Sequence, residues 1–265
     1  MRIALGLEYD GSGFWGWQSQ PQGHTVQATL ENALRQLAAH DVRVHAAGRT
    51  DAGVHALMQV VHFDTTALRP EQAWVRGTNA HLPASIRVRW AKAVAPDFHA
   101  RFDATRRSYQ YVLFNHEVAP ALMADKTGWF HAPLDLAAMQ EGIAYLLGEH
   151  DFSAFRASEC QAKSPVKTVY NAQVHCASGF FIFDFCANAF LHHQVRNMVG
   201  ALVYIGKGRY PPVFIRELLA LGDRKMAPPT FSPAGLYLTG VAYAEKWGLP
   251  DTARQINEVM RFPQI

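Results

Sequence analysis

The chain has 265 residues, 49% apolar and 12% aromatic, ample for a buried core and fitting one large domain or two of ordinary size. Three cysteines (Cys160, Cys176, Cys186), an odd number with no C-x-x-C pair, argue against a disulfide framework and a thiolate zinc site. The net charge of +3 is unevenly spread: Arg69 to Arg107 holds eight basic and three acidic residues, an electrostatic footprint suited either to phosphates or to a solvated surface.

At the start, Met1-Arg2-Ile3-Ala4-Leu5-Gly6-Leu7 meets Glu8 and Asp10 too soon to build an apolar signal core. The longest charge-free stretch, Met226 to Ala244, carries Pro228, Pro229 and Pro233 and cannot form one spanning helix. A soluble, cytoplasmic protein without membrane contact is therefore expected.

Arg2 to Tyr9 alternates, with Ile3, Leu5, Leu7 and Tyr9 on one parity, and predicts a strand that Asp10-Gly11-Ser12-Gly13 turns. Phe14, Trp15 and Trp17 follow in a glycine-broken stretch, where large aromatics either cap a core or stack on a flat ligand. Thr25 can cap a helix to about Ala39, with Val26, Leu30, Ala33, Leu34 and Leu37 on one face. Val42 to Ala46 and Met58 to Phe63 read as strands on either side of a polar loop. Ile86 to Trp90 alternates and places Arg87 and Arg89 on one face, and Ser108 to Asn115 aligns Tyr109, Tyr111 and Leu113.

Asp135 can open a second helix carrying Leu136, Met139, Ile143, Leu146 and Leu147, with Gly148 as its stop. Thr168 to Ala177 and Phe180 to Ala187 predict a hairpin turned at Ser178-Gly179. A third helix is expected from about Ala189 to Ile205, with Arg196 near the edge of its apolar face. Pro212 opens a short fourth helix ending at Gly222, and Gly235 to Tyr243 is the final strand. Helices and strands mix without strict βαβ alternation, which argues α+β with a largely antiparallel sheet and a boundary near Thr105.

The loop Gly48-Arg49-Thr50-Asp51-Ala52-Gly53-Val54-His55-Ala56 puts an arginine, a carboxylate and an imidazole within seven residues, bracketed by two glycines. Gly48 and Gly53 suggest a tight loop that offers Asp51 to something bound. The alternative is a polar turn in which Asp51 bonds its own backbone. For a metal site, Asp51 and His55 have i, i+4 spacing and His192-His193 offers two imidazoles. Gly53 disfavours a helix at the first, and adjacent histidines on a helix diverge by about 100°. Gly11-Ser12-Gly13 lacks Walker spacing and its lysine, and no G-x-S-x-G motif is present. What remains is a carboxylate beside an arginine, a group that stays ionised and can act as nucleophile or electrostatic stabiliser without a cofactor.

The same loop resembles the signature of the tRNA pseudouridine synthase A family. Glu8-Tyr9-Asp10-Gly11 leading to Gly16-Trp17-Gln18 resembles that family's opening block, and Phe98-His99-Ala100-Arg101-Phe102 with Tyr109-Gln110-Tyr111 its central block. His192 to Gly200 resembles its helical motif and Gly235-Leu236-Tyr237-Leu238 its late strand. The blocks follow in the expected order up to about Tyr243. The tail from Ala244 matches no part of the pattern, and Phe14-Trp15 stands where a tyrosine-containing variant is usual.

The resemblance implies an isomerase that converts uridine to pseudouridine at positions 38, 39 and 40 of the tRNA anticodon stem-loop, with no metal and no organic cofactor. It implies a homodimer with a basic cleft. It also implies the pseudouridine synthase fold: two similar α+β halves, 1–104 and 105–265, forming a continuous, mostly antiparallel sheet with helices on one face. The first half carries the catalytic loop and the second completes the cleft. Residue by residue, Asp51 matches the catalytic aspartate and Arg49 the arginine that helps turn the base outward. Tyr109 matches the tyrosine packed on the uracil, Arg196 the arginine paired with the aspartate, and Leu236 the apolar wall of the pocket. On their own, Tyr109, Arg196 and Leu236 read equally as a strand aromatic, a helix-surface cation and a core leucine.

Overall fold

A computed structural model describes residues 1–21 and 23–260. Residues 261–265, the end of the expected second half, lie outside that range. In chain order the elements are β1 (Arg2–Tyr9), α1 (Val26–Ala38), β2 (His45–Ala46), β3 (His55–Asp64), α2 (Glu71–His81), β4 (Ile86–Val94), β5 (Ala104–Asn115) and β6 (Gly128–Phe130). They continue with α3 (Leu136–Ala144), β7 (Gly148–Asp151), β8 (Val166–Ala177), β9 (Phe180–Ala187), α4 (Gln194–Gly206), α5 (Phe214–Leu221) and β10 (Leu236–Tyr243). The mixture is α+β and its strand pairing mostly antiparallel. No helix among the described residues is long and apolar enough to cross a membrane.

The chain divides into two compact units, one of Met1–Arg106 with Tyr237–Ile256, the other of Arg107–Leu236 with the residues from Asn257. In the first unit β1 is the spine, antiparallel to β3 on one side and β4 on the other, and β10 runs parallel to β3 with Tyr237 opposite His55. Residues 55–63 of β3 are all buried, which explains why that strand lacks a polar-apolar alternation, its polar members His55, Gln59 and His62 being buried with the rest. The Thr25 hydroxyl accepts the Ala28 N–H at 3.3 Å and starts α1, as its sequence position predicts.

The helix α2 was not anticipated. Only Trp74 and Thr78 of it are buried, so it shows little apolar periodicity, and its Gly77 lets the Leu37 side chain pack against its backbone. Because α2 interrupts the Arg69–Arg107 stretch, those basic residues are distributed over a helix, two strands and their loops. The expected strand from Val42 shrinks to His45–Ala46, while β3 begins at His55, directly behind the polar loop.

In the second unit β9 pairs with β5 and with β8, and β8 with β7, all antiparallel, while the short β6 runs parallel to β5. The β8–β9 hairpin turns at Ser178-Gly179 as expected, both at positive φ (50° and 82°), the conformation a two-residue hairpin turn requires. Asp135 caps α3 by accepting the Ala138 N–H at 3.1 Å. That helix ends at Ala144, four residues before Gly148, which at φ 98° instead opens β7.

Helix α4 is the core of this unit: Arg196 and Tyr204 alone among its residues escape burial. It starts at Gln194, five residues later than expected. His193 sits before it at φ 63°, and the His192 and His193 rings lie 4.0 Å apart. The argument that helical geometry makes these two histidines diverge therefore does not apply to them.

Candidate active site

The loop carrying Asp51 is held from several directions within the first unit. The Ala47 N–H donates to Val60 at 2.8 Å and the Val54 N–H to the Asp51 carbonyl at 3.1 Å. Gln59, fully buried on β3, donates from Nε2 to the Gly48 carbonyl at 2.8 Å. The Thr50 carbonyl accepts the Trp17 N–H at 2.9 Å, and the Thr50 hydroxyl lies 2.8 Å from the Tyr9 hydroxyl. Between these fixed points Arg49 is exposed and Asp51 half-buried. A carboxylate presented from a braced backbone is preorganised, the condition under which a charged group acts most strongly on a reacting centre.

The glycines divide by role. Gly53 adopts φ 78°, so the turn needs it. Gly48 has no such backbone, and a Cβ there would meet nothing within 4 Å. Close approach occurs instead in the opening block: a Cβ on Gly11 would lie 1.9 Å from the Val54 carbonyl oxygen, and one on Gly16 (φ 86°) 2.8 Å from the Thr50 oxygen. Of the aromatics there, Phe14 and Trp17 are in the core and Trp15 is on the surface.

His55 has a structural place. It is buried, accepts the Gly11 N–H on Nδ1 at 3.0 Å, and stacks on Tyr237 with ring centres 4.7 Å apart. Burial and the Asp10 charge push the Tyr237 phenol well above its ordinary value, so the ring serves as a neutral platform.

The remaining site residues expected from the sequence lie in the second unit. Tyr109 is on β5, opposite Phe185, with its ring edge-on to Phe190 at 5.2 Å. Arg196, in the first turn of α4, donates from Nε to the Phe231 carbonyl at 2.8 Å, and the Phe231 N–H returns to the Arg196 carbonyl at 3.3 Å. Leu236 is buried at the start of β10, its N–H bonded to the Pro233 carbonyl at 2.9 Å. The 231–236 segment is thus tied to α4 through Arg196 and to β5 through the Tyr111 hydroxyl on Ser232 (2.9 Å) and the Val112 N–H on Gly235 (2.8 Å).

Sequence reasoning did not single out Gln59 or Phe190. Gln59 carried a signal, a polar amide between the apolar residues Leu57-Met58 and Val60-Val61. Phe190 was assigned to a helix it does not belong to.

The tRNA pseudouridine synthase family model matches residues 7–103 and 143–244. A protein called tRNA pseudouridine synthase A from Methylobacillus flagellatus is 70% identical over 97% of this chain and 98% of its own length. Its namesake from Chromobacterium violaceum is 61% identical over 94% and 96%, and that from Aromatoleum aromaticum is 57% identical over 100% of both chains.

Proposed function

The chain belongs to the tRNA pseudouridine synthase family, and on that premise we propose that it isomerises uridine to pseudouridine at positions 38, 39 and 40 of the tRNA anticodon stem-loop, with Asp51 as nucleophile. The observation that carries the reading is the braced loop: backbone and side-chain hydrogen bonds fix Gly48, Thr50 and Val54 around a half-buried carboxylate.

The reaction breaks the bond from ribose C1′ to uracil N1, turns the base and joins C1′ to C5, after which C5 gives up its proton and N1 takes one up. Atoms are conserved and no electrons are exchanged with a second substrate, so side chains suffice. A paired base is out of reach, so the nucleotide must leave the stack at a cost of about a few kcal/mol, which phosphate contacts to basic side chains offset. Arg49 assists that turning outward, and Arg196 completes the catalytic set. Tyr109 offers a flat face and Leu236 an aliphatic wall to the uracil. A detached base held against such surfaces does not diffuse away before the new bond forms. The two-half division at 104/105, a homodimer and a cytoplasmic location belong to the same reading.

Asp51→Asn, assayed for pseudouridine on anticodon stem-loops with uridine at each of the three positions, tests it. The expected result is loss of turnover with tRNA binding retained. Near-normal turnover by the folded variant would overturn the assignment of the nucleophile. Retained binding without turnover in the unmodified protein would favour an RNA-binding role, and loss of turnover on chelation would favour a metal-dependent one using Asp51, His55 and His192 or His193. Sedimentation of the purified chain tests the dimer.

A further inference from the structure

Beneath the Asp51 loop lies a buried polar strut that the family reaction does not itself require. Tyr9 ends β1 and is 3% exposed, Thr50 is 7% exposed, and Gln59 on β3 is fully buried. The Tyr9 and Thr50 hydroxyls share a hydrogen bond of 2.8 Å, and Gln59 Nε2 donates to the Gly48 carbonyl at 2.8 Å. The Gln59 amide also hydrogen-bonds the Tyr9 phenol, while its own Oε1 is buried without a partner. Burial pushes the Tyr9 phenol up to about 12, against the opposing hydrogen bonds of Thr50 and Gln59, and keeps it protonated at neutral pH.

Polar side chains in a dry core are costly unless they specify something. Three residues of the right shape and no polarity, phenylalanine, valine and methionine, would fill this space without the desolvation. What the hydroxyls and the amide add is direction. They hold the residue before Asp51 by its side chain and Gly48 by its carbonyl, while the Trp17 N–H holds the Thr50 carbonyl at 2.9 Å. The backbone entering Asp51 is therefore set from β1 and β3.

We propose that Tyr9, Thr50 and Gln59 are positioning residues for Asp51, fixing the carboxylate for reaction and contributing little to tRNA affinity. The inference rests on the reading of Asp51 as nucleophile.

The test is Tyr9→Phe, Thr50→Val, the double variant, Thr50→Ser and Asp51→Asn, each measured for kcat, KM and thermal unfolding. Misplacing a reacting group by an ångström costs on the order of a hundredfold, so the expected loss in kcat for Thr50→Val is about tenfold to a hundredfold with KM within about twofold. Thr50→Ser, which keeps the hydroxyl, restores kcat to within about threefold of the parent. The double variant removes both partners at once, so it unfolds near the parent temperature while its kcat stays low. A structural role alone would instead return activity together with stability. Parent-like kcat in the folded Thr50→Val and Tyr9→Phe variants overturns the proposal, as does a loss confined to KM. If Asp51→Asn is inactive while those variants turn over normally, the strut fails and the nucleophile stands. If Asp51→Asn turns over normally, the nucleophile itself fails.

Discussion

Arg196 and Phe231 hold each other twice: the guanidinium Nε donates to the Phe231 carbonyl at 2.8 Å, and the Phe231 N–H donates to the Arg196 carbonyl at 3.3 Å. The loop before β10 also approaches α4 so closely that a Cβ on Gly200 would lie 2.5 Å from the Pro229 oxygen. One nitrogen of the guanidinium thus anchors the side chain and orients the planar fork beyond it. Lysine carries the charge but has no Nε to spend on the anchor. Arg196→Lys is expected to cost about 1 kcal/mol of stability, the worth of one hydrogen bond, and at least about tenfold in kcat. Denaturant unfolding and turnover on the same preparation separate the two effects, and parent-like turnover would remove Arg196 from the catalytic set.

The glycines of the signature loop and the opening block give a second contrast. Gly11→Ala places a Cβ 1.9 Å from a backbone oxygen, and Gly16→Ala adds a side chain at φ 86°. Each is expected to destabilise the first unit by about 1–3 kcal/mol, as strained or overpacked backbones do. Gly48→Ala meets nothing within 4 Å and is expected to leave the unfolding temperature unchanged or slightly raised. If RNA approaches the loop at Gly48, the same variant raises KM for tRNA. Unchanged KM would show that RNA does not come close there.

These positions also show what the sequence carried. The periods of Val26–Ala38 and Phe180–Ala187 were legible because burial favours one face of each, and that of Arg2–Tyr9 because large apolar side chains fill one face while the small Ala4 and Gly6 lie buried on the other. The Asp51 loop was legible as a glycine-bracketed polar motif, but the reason for its glycines was not. Gly53 meets a backbone need and Gly48 does not, while the tight approaches fall at Gly11 and Gly16, in a separate part of the sequence. Helix α2 was invisible because it buries only Trp74 and Thr78. The start of α4 was misplaced because Ala189, Phe190 and Leu191 extend an apolar run across residues that do not form helix.

A cluster of three imidazoles predicts how acid acts on the first unit. His62 is buried, accepts the Ala100 N–H on Nδ1 at 3.1 Å, and packs against His45 and His99 with ring centres 5.1 and 4.6 Å away. Burial first, then the charges of His99, Arg2 and His45 against that of Asp64, push its pKa down to about 3; burial also lowers His99. The unfolded chain takes up a proton at His62 below about 6.5 that the folded chain refuses. Stability is therefore complete above that pH and falls as pH drops from 6.5 toward 3, at up to about 1.4 kcal/mol per pH unit for one proton. Asp64, held below the usual carboxylate value chiefly by its hydrogen bond with Arg2, adds its loss only at lower pH. His62→Asn keeps an acceptor for the Ala100 N–H and is expected to flatten the fall between about pH 6.5 and pH 4. An unaltered slope in urea unfolding across that window would refute the assignment.

The part of the tail from Ala244 to Ile256, which matched no sequence pattern, is integral to the first unit. Thr252 acts as a partner to strand β10 through one side chain: its hydroxyl accepts the Val241 N–H at 3.1 Å and donates to the Val241 carbonyl. The Arg254 N–H bonds the Thr239 carbonyl at 3.0 Å, its guanidinium reaches Glu8 on β1 at 2.9 Å, and Ile256 is 1% exposed. A Cβ on Gly240 would lie 2.9 Å from the Thr252 oxygen, so the two backbones run close together. Thr252→Val keeps the shape but strips Val241 of a donor and an acceptor in a buried setting, at an expected cost of about 1–3 kcal/mol. Amide exchange at Val241 reads this directly, since its N–H has the Thr252 hydroxyl as partner. The expected outcome is faster exchange at Val241, with the amides of Leu5 and Val61 in the β1–β3 ladder protected as before. Unchanged protection at Val241 would mean that the tail lies against β10 without securing it.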